Sequence, residues 1–405
     1  MTKSLLRPQF GSVPPDWRLI PLKRLMRVES GKEVPLEVPP SEAAVPVYGS
    51  GADPFKYTVV SISDKPSILF GRKGTLGQPY IVEPPFWAVD TAYIGTPRKG
   101  MDIQYLNYLL QVFDWRPFVT NTAKPSLVAN DILPEKVPLP SECERTRILH
   151  FLVRKSAEID GLVGKLHREA ELLERYRREV SWEALTGGLE KASHKVESEV
   201  DWIGLMPESW TTIPGRHLFE VVKRIEPGFS DRVLSITQKG IVPKDLSSHF
   251  GQLAESYDLY QRVDAGDYAM NSMDLLTGWV DRSAYDGVTS PDYRVFRLRR
   301  AIAAEPRYFT RVLQMGYTRR IFYRYGQGVS NLGRWRLQPK VFLNMRFPLP
   351  PLNQQRRIAD YIEEKYAEID STIAGINRQI GLLGEYRKQV INDVVTGKVR
   401  VGEVA

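Results

Sequence analysis

One cysteine, Cys143, stands in a chain of 405 residues. No intramolecular disulfide can form, and nothing points to an oxidising compartment. No apolar run reaches the length of a membrane span. Residues 1–17 lack the apolar core of a signal peptide. The expectation is a cytoplasmic protein with no membrane partner. Catalytic signatures are missing as well. The histidines, His150, His167, His194, His217 and His249, lie far apart and give no metal-ligand spacing. Ser30-Gly31-Lys32 and Thr396-Gly397-Lys398 lack the upstream glycine of a P-loop. No serine-nucleophile elbow appears. Glu83-Pro84-Pro85-Phe86 approaches the Pro-Pro-aromatic motif of amino methyltransferases. Its first residue is wrong, and no glycine-rich βα loop precedes it. Phe70-Gly71-Arg72-Lys73-Gly74 is too close and too basic to serve as one. Pro291-Asp292 lacks the Glu-x-Lys that would complete a magnesium-dependent nuclease site. The chain therefore reads as a protein without catalytic residues, metal or cofactor of its own.

What is present is a repeat. Residues 137–190 align without a gap onto 347–400, with about a third of positions identical. The matches include Pro138/Pro348, Arg147/Arg357, Ile159/Ile369, Asp160/Asp370, Tyr176/Tyr386 and Thr186-Gly187/Thr396-Gly397. Two copies of one unit imply an internal two-fold. Each copy carries an aliphatic residue every seventh position. The ladders are Leu152, Ile159, Leu166, Leu173 and Val180, then Ile362, Ile369, Ile376, Leu383 and Val390. That period predicts two long helices packed as a coiled coil, each of roughly 40 residues or about 60 Å. Ser141 with Glu144 predicts a capping box at the first helix, and Asn353 a cap at the second. Gly187-Gly188 and Gly397 predict the stops. Gly161, Gly164, Gly375, Gly381 and Gly384 weaken the helices. They mark either a close approach of two backbones or a bend.

The segments before the helices, 1–136 and 191–346, are rich in Pro, Gly, Tyr, Val and Ile. They read as short strands and turns, with helix around Ile103–Phe113 and Pro306–Met315. Their openings match weakly, sharing Pro14/Pro207, Trp17/Trp210, Ile20/Ile213, Pro21/Pro214 and Leu25/Leu218, and then diverge. The fold class expected is α+β: two mixed α/β domains separated by two long antiparallel coiled-coil helices with internal pseudo-two-fold symmetry.

The net charge of +8 suggests a polyanionic partner. Positive charge concentrates between Pro291 and Phe347, where 13 Arg and Lys face Asp292 and Glu305. Tyr293, Phe296, Tyr308, Phe309, Tyr317, Phe322, Tyr323, Tyr325 and Trp335 lie among them. Arginine interleaved with aromatics is a nucleic-acid surface, or else a solvated basic face over an aromatic core.

With these features in place the chain resembles the specificity subunits of type I restriction-modification systems. The resemblance rests on the Pro-Leu-Pro before each helix (138–140, 348–350), the Arg-Ile pairs (147–148, 357–358) and Ala-Glu-Ile-Asp (157–160, 367–370). The closing Val395-Thr396-Gly397-Lys398-Val399 adds to it, as does Asp201-Trp202-Ile203-Gly204 followed by Pro207-Glu208-Ser209-Trp210. Within the domains it extends to residues 68–74 with Asp90-Thr91-Ala92-Tyr93, then to residues 267–273, Asp286-Gly287-Val288 and Ser290-Pro291-Asp292-Tyr293. Glu144-Arg145, Gln354-Gln355 and Ala184-Leu185-Thr186-Gly187 depart from the family's usual pattern.

The resemblance implies two target-recognition domains, 1–140 and 191–350, and two spacer helices, 141–190 and 351–405. It implies a bipartite double-stranded DNA site and two DNA-methyltransferase modification subunits that methylate adenine. Restriction/translocase subunits can join. S-adenosylmethionine, ATP and Mg are expected in those partners only. The alternative is a non-catalytic coiled-coil scaffold whose basic domain binds DNA without sequence preference.

Candidate DNA contacts are Arg72 and Lys73 in the turn Gly71–Gly74, and Lys124 and Ser126 near the end of the first domain. Ser330, Asn331, Arg334 and Arg336 occupy the comparable place in the second. The turn is equally readable as plain solvated loop. Asn271 and Asp274 are expected to be structural.

Overall fold

The computed structural model describes residues 10–11, 13–190, 193–230, 232–245, 256–328 and 335–404. They form two compact units: Met1–His167 with Asn377–Ala405, and Arg168–Ile376. The boundary crosses both long helices, so each unit gathers the start of one and the end of the other.

The first long helix runs over Glu142–Gly187, 46 residues. The second runs over Leu352–Val395, 44 residues. The seven-residue ladders supply their apolar stripe. Leu152, Ile159, Val180, Ile362, Ile369 and Ile376 are buried, while Leu166, Leu173, Leu383 and Val390 are half-buried. In the first unit Ile148 and Leu152 share a core with Ile391, Val394 and Val395, and Asp160 pairs with Arg387. In the second, Ala184 and Leu185 share a core with Ile358, Ala359 and Ile362, and Arg177 pairs with Asp370. Numbers rise on one helix as they fall on the other, so the pairing is antiparallel in each unit. The Asp160–Arg387 pair and the Asp370–Arg177 pair are the same contact with the two repeats exchanged, one in each unit.

The helix glycines correct one expectation. A Cβ on Gly161, Gly164, Gly375, Gly381 or Gly384 would meet nothing within 4 Å. No backbone approaches closely there, and both helices continue through these positions. The caps also differ. Ser141 Oγ accepts the Glu144 amide at 3.3 Å, but the Glu144 carboxylate accepts Trp17 Nε1 at 2.9 Å and Arg400 Nη1 at 2.7 Å. The box is half made: the indole takes one carboxylate oxygen and the guanidinium, strengthened by its charge, takes the other. The second helix starts at Leu352, one residue before Asn353. Its first turn donates the Gln354 and Gln355 amides to the Pro351 carbonyl, and Asn353 Oδ1 also accepts the Gln354 amide at 2.9 Å.

The two domains diverge in sequence yet share one layout. In the first, a four-stranded antiparallel sheet orders Met26–Ser30, Ala92–Pro97, Ser67–Gly71 and Gly77–Val82. In the second, the order is Phe219–Val221, Arg294–Leu298, Tyr268–Met270 and Val280–Arg282. A helix follows each sheet, Ile103–Gln111 capped by Asp102 and Pro306–Thr318 capped by Glu305. The matched openings pair with the strands before the long helices, Arg18–Pro21 with Lys136–Leu139 and Thr211–Pro214 with Arg346–Leu349. Among the described residues no helix is long and apolar enough to cross a membrane.

Candidate nucleic-acid interface

In the first domain the strand Ser67–Gly71 ends in a turn that only glycine can make. A Cβ on Gly71 would fall 1.6 Å from the Thr75 carbonyl oxygen, and Gly74 has φ +77°. The turn presents Arg72 and Lys73. Both amides donate to the Thr91 carbonyl, at 2.8 and 3.1 Å. Lys73 Nζ pairs with Asp90 at 2.8 Å and holds that carboxyl below its ordinary range. The Arg72 guanidinium lies 5.7 Å from the centre of the Tyr93 ring and donates to the Asp90 carbonyl.

The loop with Lys124 and Ser126 comes to the same place. Lys73 and Ser126 form an antiparallel bridge, and Val119 bridges Leu127. The Thr120 amide donates to the Ser126 carbonyl at 2.9 Å, and Thr120 Oγ1 accepts the Ser126 amide at 3.0 Å. Lys124 stands exposed at the tip. Arg72, Lys73, Lys124 and Ser126, separate in sequence, therefore line one surface.

A further loop joins them that the sequence reading missed. Tyr80 donates its hydroxyl to the Gly49 and Gly51 carbonyls at 3.0 and 2.7 Å. Ser50 packs against Gly71 and Gly74, while Phe55 remains 55% exposed. The signal available was Gly49-Ser50-Gly51 with Asp53-Pro54, turn chemistry directly after the strand Val45–Tyr48.

In the second domain Gln327–Gly328 pairs with Trp335–Arg336 as the base of a hairpin. Arg336 is half-buried there. Ser330, Asn331 and Arg334 lie outside the described residues. The segment 271–274 takes the place of the basic turn. Asn271 Oδ1 accepts the Met273 and Asp274 amides, and Asp274 Oδ1 accepts the Leu276 and Thr277 amides. These side chains satisfy their own loop.

The basic, aromatic stretch divides. Phe296, Tyr308, Phe309, Tyr317 and Phe322 are buried in the domain core, so they are no stacking surface. Several arginines are committed to the fold. Arg307 pairs with Glu305, Asp360 and Glu363; Arg319 pairs with Glu179; Arg299 Nε donates to the Arg216 carbonyl. Arg98 makes that last bond in the first domain, to the Lys23 carbonyl. Arg294 is 5% exposed, and burial pushes its guanidinium down to about 10. A cleft of about 910 Å³ in the second unit sets Arg177, Arg178, Lys239, Arg311 and Arg320 against Glu174, Asp281, Glu363 and Asp370. Four carboxylates among five cations do not suit a phosphate backbone. Among the described residues no group of His, Cys, Asp or Glu is arranged to hold a metal ion.

No family model matches the chain. Its sequence is 20% identical over 362 residues to the type I restriction enzyme MjaVIII specificity subunit of Methanocaldococcus jannaschii, covering 84% of this chain and 77% of that one. It is 22% identical over 330 residues to the putative type I restriction enzyme MjaX specificity subunit of the same organism, covering 75% and 70%. A chain from a solved structure described as the structural basis of complex assembly and conformational transition of the type I R-M system has the same fold. The TM-score is 0.61 at 14% identity, covering 96% of this chain and all of that one.

Proposed function

We propose that this chain, a type I restriction-modification specificity subunit by its likeness in sequence and in fold, reads a two-part double-stranded DNA site and docks modification subunits. On this reading it is a non-catalytic subunit, which the likeness supports. The observation that carries the reading is the doubled architecture. Two domains of one layout and different sequence each bring a hairpin beside the turn that ends the same sheet strand. One layout with two sequences is what two different half-sites ask for.

In the first domain Arg72, Lys73 and Lys124 supply phosphate contacts, whose affinity falls with salt. Ser126 and Ser50 supply hydroxyls, which can contact base edges. In the second domain we assign Arg336 with Ser330, Asn331 and Arg334 the matching part. The spacer helices fix the gap between the half-sites and give two methyltransferase modification subunits their docking surface. Joining two readers raises affinity through effective concentration when the gap fits. Restriction subunits join the same complex. S-adenosylmethionine, ATP and Mg belong to those partners.

A genome-wide adenine-methylation map, made with and without this gene, tests the reading. The expected result is a two-part motif that vanishes when the gene is removed. An identical map in both strains rejects it, and equal affinity for scrambled half-sites would favour a scaffold that binds any DNA.

A further inference from the structure

We propose that Tyr93 and Arg294 are equivalent positioning residues, each locking the returning arm of its domain's recognition hairpin onto the central sheet. The inference rests on the reading that each domain reads one half-site. The sheet registers align the two residues. Tyr93 sits opposite Phe70 and Arg294 opposite Met270, on the same strand of the same four-stranded layout. Tyr93 donates its hydroxyl to the Leu127 carbonyl at 3.0 Å. Arg294 Nη2 donates to the Leu337 carbonyl at 2.7 Å.

Leu127 and Leu337 are themselves matched. Each is buried; Leu127 closes the returning arm of the first hairpin opposite Val119, and Leu337 comes one residue after Arg336 in the second. Each also donates its amide to the sheet strand's exit, Leu127 to the Arg72 carbonyl at 2.9 Å and Leu337 to the Ser272 carbonyl at 3.0 Å. The arm is thus held at both of its backbone polar groups, one by the turn and one by a side chain.

The two donors have nothing in common chemically except that bond. One is a neutral phenol and the other a cation. The phenol also accepts the Ala129 amide at 3.2 Å, which the guanidinium cannot do. Arg294 is buried, 5.2 Å from the centre of the Phe342 ring, and donates at 4.0 Å to Met270 Sδ. No carboxylate pairs with it among the described residues. Burying an unpaired cation is costly, and a core position would ordinarily take an apolar residue. The same hydrogen bond on two unlike side chains, in two domains that otherwise diverged, points to the bond as the feature retained. Its removal leaves a carbonyl unsatisfied at the base of the hairpin. The Lys73–Ser126 bridge beside it, and with it the tip, then loses its fixed place.

The test uses the full complex with its modification subunits. Tyr93→Phe deletes one hydroxyl, and Arg294→Met deletes the donor while keeping apolar bulk. Each is expected to raise methylation at sites mismatched in one half of the motif by about tenfold, in opposite halves for the two variants. Loss of sequence choice in both halves together would indicate general damage and overturn the assignment, as would an unchanged motif. A direct readout backs this up. In the free chain, amide hydrogen exchange at Leu127 is expected to rise only in Tyr93→Phe, and at Leu337 only in Arg294→Met. Unchanged exchange in both overturns the proposal whatever the methylation shows. A wild-type map without any two-part motif sinks the DNA-reading itself and is told apart by being seen before either substitution is made.

Discussion

Trp17 Nε1 donates to the Glu144 carboxylate at 2.9 Å, tying the opening of the first domain to the start of the helix that follows it. Trp210 Nε1 makes the same bond to Gln354 at 2.6 Å in the second. Both tryptophans are buried, at 6% and 3% exposure, and both acceptors sit in the first turn of a long helix. An indole N–H in a core needs an acceptor. Glu144 has a second task, because Arg400 reaches it from beyond the second helix and also pairs with Asp16.

Substitution at Glu144 separates these tasks. Glu144→Gln keeps an acceptor for Trp17 and copies the other unit but gives up the Arg400 bond, leaving that guanidinium on Asp16, so its expected cost is about 1 kcal/mol. Glu144→Ala orphans the indole and is expected to cost about 2 kcal/mol. Urea denaturation of the two variants measures the difference, and equal costs would remove the indole bond from the account.

The open surroundings of the helix glycines predict gain rather than loss. Gly164→Ala, Gly381→Ala and Gly384→Ala each place a methyl where nothing lies within 4 Å. Each is expected to stabilise the chain by about 0.5–1 kcal/mol through lower backbone entropy when unfolded. The thermal midpoint should rise with each. A fall would reveal a neighbour that the open surroundings do not contain.

Asp281 predicts a pH dependence. Burial raises its carboxyl above the ordinary 3.8, with Arg311 opposing only in part. A carboxyl that binds its proton more tightly when folded favours the folded chain below the unfolded value. That contribution is lost as pH rises through the folded value. At neutral pH the ionised group is therefore a burden. Asp281→Asn, which keeps the acceptor for the Arg282 amide, should be more resistant to urea than the parent at pH 7. The advantage should shrink towards pH 3. An advantage independent of pH would place the effect elsewhere.

Lys124 predicts a salt effect. It stands exposed at the loop tip of the first domain. If it meets a phosphate, Lys124→Ala weakens binding alike on all sequences and lowers the slope of log K against log salt by about one. Titration of the assembled complex at several salt concentrations measures this. Weakening confined to one base sequence would make Lys124 a base reader instead.

The chain's order of elements was legible before any coordinates, and the reason is distance along the polypeptide. A seven-residue ladder such as Leu152, Ile159 and Leu166 acts between neighbouring turns of one helix, so its message is local. The short strands of the two domains and the helices at Ile103 and Pro306 follow from equally local pattern. The doubled segment also announced the antiparallel pairing, since two copies of one stripe can bury each other. What remained hidden involves partners far apart in sequence. Glu144 reads as half of a capping box until Trp17 and Arg400 claim it. Arg299 and Arg307 belong to a basic stretch readable either as a nucleic-acid surface or as a solvated face until the Arg216 carbonyl and the acids of the second helix take them up. The common layout of two domains with unlike sequences lies in which strands pair, and pairing registers depend on the whole sheet closing over one core. Sequence alone determined where the chain coils and that it does so twice. Tertiary contact decided which charges are left facing outward, because each buried donor or acceptor must find its partner before the surface receives what remains.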